Sequence, residues 1–221
     1  SNVEAPLSPG KTVKVDYPHT EGRRPNTKIF VNTKLFMNVW GDLKKQMTWP
    51  SFSWVVKADP PTVFIPSRLR TILSNQMVTP KGVYMENCDL VRMSFHGSLE
   101  VISKDAFGTF LDNMDECDKN LPWKHGDHAH FRYYGEDKFL QWCMDRHGVD
   151  KVPSRQMVDT VPKDDKIYGL HLTVSCPGHR TKFERQMKKW KPNCTRSVTA
   201  SMHSFKTVKD YLECLKNTTQ N

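Results

Sequence analysis

Trp54-Val55-Val56-Lys57-Ala58-Asp59-Pro60-Pro61-Thr62-Val63-Phe64 is an apolar stretch that ends on a carboxylate and then turns. It reads as a buried strand delivering one acidic side chain at its C-terminal edge, where α/β folds gather ligand-binding groups. Asp59 is therefore the first candidate site residue.

Upstream, residues 33–45 carry Leu35, Phe36, Val39, Trp40 and Leu43 at helical spacing, after a short apolar run Ile29-Phe30-Val31. Residues 1–27 hold Pro6, Pro9, Pro18 and Pro25 among scattered charges and read as an extended arm. Downstream, residues 66–73 predict a short helix with proline at its start. Residues 83–85 and 99–103 predict strands, and residues 104–114 an amphipathic helix with Ala106, Phe107, Phe110, Leu111 and Met114 on one side. From Glu136 the pattern is helical again, with Phe139, Leu140, Cys143 and Met144 apolar and His147-Gly148 closing it. Strands alternating with helices argue an α/β fold, with residues 28–221 as one domain.

The 221 residues, 37% hydrophobic and 10% aromatic, suffice for one sizeable core. No run of about 18 apolar residues suggests a membrane span. No leader of the usual secretory form opens the chain, which reads as a mature form or a fragment. A net charge of +9 favours anionic partners, nucleotide phosphates among them. The basic run from His179 to Lys191 has no nucleic-acid-binding motif beside it, so nucleic acid is not the expected partner. Six cysteines without a C-x-x-C pair are compatible with up to three disulfides whose pairing the spacing does not choose. With the sequons at Asn193 and Asn217, they point to a secretory-pathway, organellar or other oxidising lumen.

Glu136 and Asp137 stand where a helix begins, either as favourable charges in its first turn or as catalytic carboxylates. His125, His128 and His130 have the spacing of a polar surface loop rather than of a helix-borne zinc pair. The tryptophans read as packing residues, except Trp123 beside that loop, a candidate ligand platform. Arg68, with Arg70, is a candidate phosphate contact.

Taken in order, Ile29 to Phe36, Trp54 to Pro66 with Arg68-Leu69-Arg70, Gly97 to Ser103, and Tyr134-Gly135-Glu136-Asp137-Lys138-Phe139 resemble the later part of a GT-A-type glycosyltransferase domain. The likeness is nearest to glycosyltransferase-like proteins of algae and other protists, more distantly to the fringe and β1,3-galactosyltransferase group, and covers about residues 28–215. It implies a GT-A-like mixed sheet flanked by helices. It also implies inverting sugar transfer from a nucleotide sugar to a hydroxyl of a glycan or protein acceptor. Asp59 matches the family's ligand for Mn2+ or Mg2+, and Glu136 and Asp137 match its base. A late histidine would complete the metal shell, with His171, His179 and His203 as candidates. The chain departs from the pattern at Pro60-Pro61, where the family's Asp-x-Asp has its second acid, and only 58 residues precede Asp59. The alternative reading is therefore a degenerate glycosyltransferase-like domain acting as an accessory subunit of a larger protein assembly.

Overall fold

The computed structural model describes residues 32–46, 49–60, 62–87, 95–120, 135–154, 158–159, 194, 200–203, 205 and 207–219. The proline-containing arm, Cys88, Trp123, the histidine loop, His171, Cys176 and His179 lie outside these residues. In chain order the elements are α1 (Thr33–Gln46), a one-turn 3-10 helix (Trp49–Ser51), β1 (Trp54–Ala58), β2 (Thr62–Phe64), α2 (Pro66–Leu73), β3 (Val83–Glu86), β4 (Leu99–Ser103), α3 (Lys104–Lys119), α4 (Glu136–Arg146), β5 (Asp150–Pro153), β6 (Val158–Asp159), β7 (Ser201–His203) and α5 (Val208–Thr219). The fold is mixed α/β, with helices flanking a mixed sheet.

Four strands run in the order β1-β4-β3-β5, antiparallel except for the parallel β3–β5 pair. Successive side chains of a strand point to opposite faces, so β4 divides its apolar residues between two cores. Ile102, with Tyr84 of β3, faces α1, α3 and α4 and packs among Trp40, Phe107, Phe110, Phe139 and Leu140. Leu99 and Val101, with Met85 of β3, face the other way, against Leu69 of α2. A second sheet, β2-β7-β6, carries Val63 and Met202 onto Cys214 of α5.

β1 corrects the sequence reading. It is an edge strand among the described residues and only partly buried, with Val56 37% exposed. α3 also runs one turn beyond the expected end at Met114, because Cys117 is buried and bridged to Cys143 of α4, which ties the acidic last turn to the core. A second disulfide joins Cys194 to Cys214, and the two bridges fit an oxidising environment. Ser103 couples β4 to α3: its Oγ accepts from the amides of Ala106 at 3.4 Å, as the helix cap, and of Val83 at 2.9 Å. Gly82 has φ of 79°, and a Cβ there would stand 2.1 Å from the Ala106 nitrogen, so this approach of β3 to α3 needs glycine. Among the described residues no helix is long and apolar enough to cross a membrane.

Phe107 is fully buried and meets Trp40 and Trp49 edge-on, at centroid distances of 5.6 and 5.3 Å. Phe107→Ala should cost about 3–5 kcal/mol of unfolding free energy, read from the urea midpoint at unchanged slope.

Candidate functional site

The site grows from two charges placed where the strand periodicity calls for apolar side chains. Lys57 of β1 stands directly opposite Glu100 of β4. Both share the helix-facing side with the Val55 and Ile102 pair two residues away. The Lys57 ammonium lies 2.9 Å from Glu100 Oε1 and 2.6 Å from Oε1 of Glu136, the first residue of α4. It also lies 3.3 Å from Asp59 Oδ1 and 4.6 Å from the centre of the Phe36 ring. All three members of the inner cluster are buried: Lys57, Glu100 and Glu136 are 11%, 0% and 4% exposed.

Three opposing effects set the protonation of this cluster. Burial alone would pull the Lys57 pKa down, but Glu100, Glu136 and Asp59 outweigh it and hold the ammonium well above the usual lysine range. Burial pushes the Glu100 carboxyl well above the usual glutamate range, the charge of Glu136 adds to this, and Lys57 opposes it. Glu136 is raised by burial too, against the pull of Lys57 and a hydrogen bond from Glu100. Glu100 Oε2 is buried and finds no partner as a carboxylate. Burial and the neighbouring carboxyl thus favour the protonated form of Glu100 beside the Lys57 ammonium.

Two further carboxylates form the rim. Asp137 Oδ2 accepts from the Gly97 amide at 3.2 Å, and its Oδ1 accepts from the Lys138 amide at 2.7 Å. A Cβ on Gly97 would stand 3.5 Å from Asp137 Oδ2, 3.6 Å from Asp59 Oδ2 and 3.4 Å from Glu100 Oε1. All three are ordinary van der Waals distances, so these oxygens converge on Gly97. The loop holding it is pinned by Asn87, whose Oδ1 accepts from the His96 amide at 2.7 Å and whose Nδ2 donates to the His96 carbonyl at 2.8 Å. The turn after Asp59 is fixed by the amide of Asp59 and the hydroxyl of Thr62, which both donate to the Ser98 carbonyl, at 3.3 and 3.0 Å.

Of the residues expected from sequence, Asp59, Glu136 and Asp137 come together. Glu136 is sealed against Lys57, which leaves Asp137 and Asp59, both half-buried, facing outward. Neither acid caps α4: Gly135 is the cap residue, and Asn32 reaches across to accept the Glu136 amide at 3.3 Å. Arg68 lies on α2, against the opposite face of the sheet from Lys57, and donates to the Thr218 carbonyl at 3.4 Å at the end of α5. It is not part of this cluster. Trp123, His171 and His179 fall outside the described residues, while the backbone of His203 pairs with Thr62, just beyond the Asp59 turn. Sequence reasoning missed Lys57, Glu100 and Gly97. The available signal was a lysine and a glutamate at core-facing positions of two otherwise apolar strands.

The outward-facing donors are carboxylate oxygens, which suit a hard divalent cation, so Mn2+ or Mg2+ fits the chemistry of Asp59 and Asp137. Comparison with protein-family models and with curated proteins finds no match for this chain.

Lys57→Met should destabilise by about 3–5 kcal/mol, because it leaves Glu100 and Glu136 buried without their counter-charge. The raised carboxyl of Glu100 gives a signed pH effect. The native state binds more protons than the unfolded chain above the ordinary glutamate pKa, so stability falls as pH rises from that value through the native one. Glu100→Gln, a mimic of the protonated acid, should flatten this decline in urea midpoints between pH 5 and 8. An unchanged decline would place the titrating proton elsewhere.

Proposed function

We propose that the chain is a GT-A-like, inverting glycosyltransferase domain that moves a sugar from a nucleotide sugar to a hydroxyl acceptor with the help of Mn2+ or Mg2+. The observation that carries this reading is the convergence of Asp59, at the end of β1, and Asp137, at the start of α4, on Gly97. The sequence resemblance implies complementary roles for Asp59, on the metal, and for Glu136 or Asp137, as the base.

In this reading Asp137 takes the proton from the acceptor hydroxyl. The oxygen then attacks the anomeric carbon from the face opposite the leaving group, and the bond electrons depart with the nucleoside diphosphate. The amides of Gly97 and Lys138 hold the Asp137 carboxylate in one orientation. Asp59 would hold the metal, and of the late histidines named as its partner His203 is the one whose backbone is registered beside the acidic turn. The ion supplies charge neutralisation to the departing diphosphate. Lys57 fixes Asp59 through its ion pair, and the positive charge of the whole chain favours an anionic donor.

A second reading rests on the same ammonium. Lys57 already meets three carboxylates, and Pro61 stands where a second acidic ligand would be expected. A domain whose cation need is met by its own lysine suits an accessory subunit of a larger protein assembly.

Thermal shift separates the two. Transfer activity predicts that Mn2+ with one of a panel of nucleoside diphosphates raises the melting temperature by about 5 °C near saturation. Asp59→Asn should abolish that rise, whereas Asp137→Asn should keep it and lose sugar transfer. No rise with any nucleotide, with or without metal, would overturn the transferase reading in favour of the accessory one.

A further inference from the structure

The described residues hold one other group with ligand chemistry, at the opposite end of α4 from Asp137. Cys117 of α3 and Cys143 of α4 are both fully buried, and His147 closes α4 four residues after Cys143. The two sulfurs and an imidazole nitrogen all lie within 4.8 Å of one another. Nε2 of His147 is buried without a hydrogen-bond partner, and the nearest opposite charge is Glu116 Oε2, 3.5 Å away. Glu116 adjoins Cys117 in sequence, and its other oxygen, Oε1, is held by Arg146 at 3.3 Å.

A bridge that only staples two helices has no use for an imidazole nitrogen aimed beside it and left unsatisfied, since burying such a group carries a desolvation cost. A residue and its neighbour four positions on lie on one helix face, which is how helix-borne ligand pairs are presented to a metal. Two thiolates and one imidazole, with a water in the fourth position, make a donor set for tetrahedral zinc. With the bridge closed, the sulfurs have no thiolate to offer.

We propose that Cys117, Cys143 and His147, with water in the fourth position, form a redox-gated site for Zn2+, latent in the disulfide state and able to bind once the bridge is reduced. The balance is simple. A dithiol reductant gives two electrons and two protons to the disulfide, yielding two thiols and the cyclic disulfide of the reductant. Zn2+ then displaces both thiol protons as it binds. Opening the bridge lets the sulfurs part by side-chain rotation, and the ion has a way in past His147 and Glu116, which are 21% and 45% exposed.

The site also does for folding what the bridge does. Either linkage ties the last turn of α3 to α4, so the helix pair keeps one anchor under oxidising and reducing conditions alike. That makes the proposal separable from the sugar-transfer reading, which concerns other residues.

The test uses the full chain, reduced with dithiothreitol, freed of reductant without oxygen and titrated with Co2+ as a spectroscopic stand-in for Zn2+. Reduced wild type should bind one ion with the visible bands of tetrahedral cobalt and a thiolate-to-cobalt band, both erased by Zn2+. The oxidised chain should show neither. Removing Cys194 and Cys214 together should leave the bands intact, whereas Cys117→Ala with Cys143→Ala should abolish them. His147→Gln should weaken binding about tenfold or more. Circular dichroism and the melting temperature of each reduced sample report the fold, and Zn2+ should raise the melting temperature of reduced wild type alone among the oxidised, reduced and His147→Gln forms. Bands that survive the Cys117/Cys143 double substitution, binding unaffected by His147→Gln, or a reduced chain that Zn2+ neither binds nor restabilises would each overturn the proposal.

Discussion

The ammonium of Lys57 is the constraint on which the site depends. It joins three elements that share no sequence neighbourhood: β1 that carries it, β4 through Glu100 and α4 through Glu136. A buried cation among carboxylates adds little net stability over an apolar filling, yet removing one member leaves the others uncompensated. Its value here is register. A one-residue slip of β1 against β4 would turn Lys57 to solvent and leave Glu100 facing an apolar neighbour, so the ion pair selects a single pairing. Asp59 lies two residues on and therefore on the same side of the strand, which is how fixing Lys57 also aims Asp59.

α4 meets this edge with its N-terminal end, where the unpaired amides and the helix dipole favour negative charge. That end satisfies Glu136 and Asp137 in different ways. Glu136 turns inward to Lys57, while Asp137 stays near the surface and accepts from the Gly97 amide across the gap. Asn32, just before α1, takes up the amide of Glu136 itself and so links the start of the described fold to the site. Two adjacent acids thus divide into an anchor and an outward-facing base candidate.

Much of this frame was legible in the sequence because it is local. The helical spacing of Leu35, Phe36, Val39 and Trp40, the proline that opens α2 and the His147-Gly148 stop of α4 all act within a few residues. What was not legible is non-local. The second sheet is built from strands of two and three residues whose partners lie in distant parts of the chain, so no run is long enough to show a period. The pairing of the cysteines has no signature in their spacing. β1 was read as buried because its apolar content was weighed without the position of Lys57, whose ammonium is drawn to Glu100 and Glu136 on the helix-facing side while the strand lies at the sheet edge. Glu100 was read as one polar residue in a strand, though its place among Leu99, Val101 and Ile102 marks a charge that must find a partner indoors.

The charge balance at Gly97 decides how the acidic rim behaves. The Lys57 ammonium offsets charge in the buried layer, and burial raises the pKa of both Glu100 and Glu136, so the layer holds less negative charge than two free carboxylates would. Asp59 takes only part of the Lys57 charge, at the longest of its three contacts, and Asp137 takes none of it, being held by amide dipoles. The unbalanced negative charge therefore sits on the two acids that can reach solvent. Had the inner carboxyls both been ionised and exposed, the rim would be one more acidic patch screened by salt. Asp59 and Asp137 are half-buried and both bring an oxygen to Gly97, so a cation or a hydroxyl proton arriving there from solvent meets the two carboxylates together.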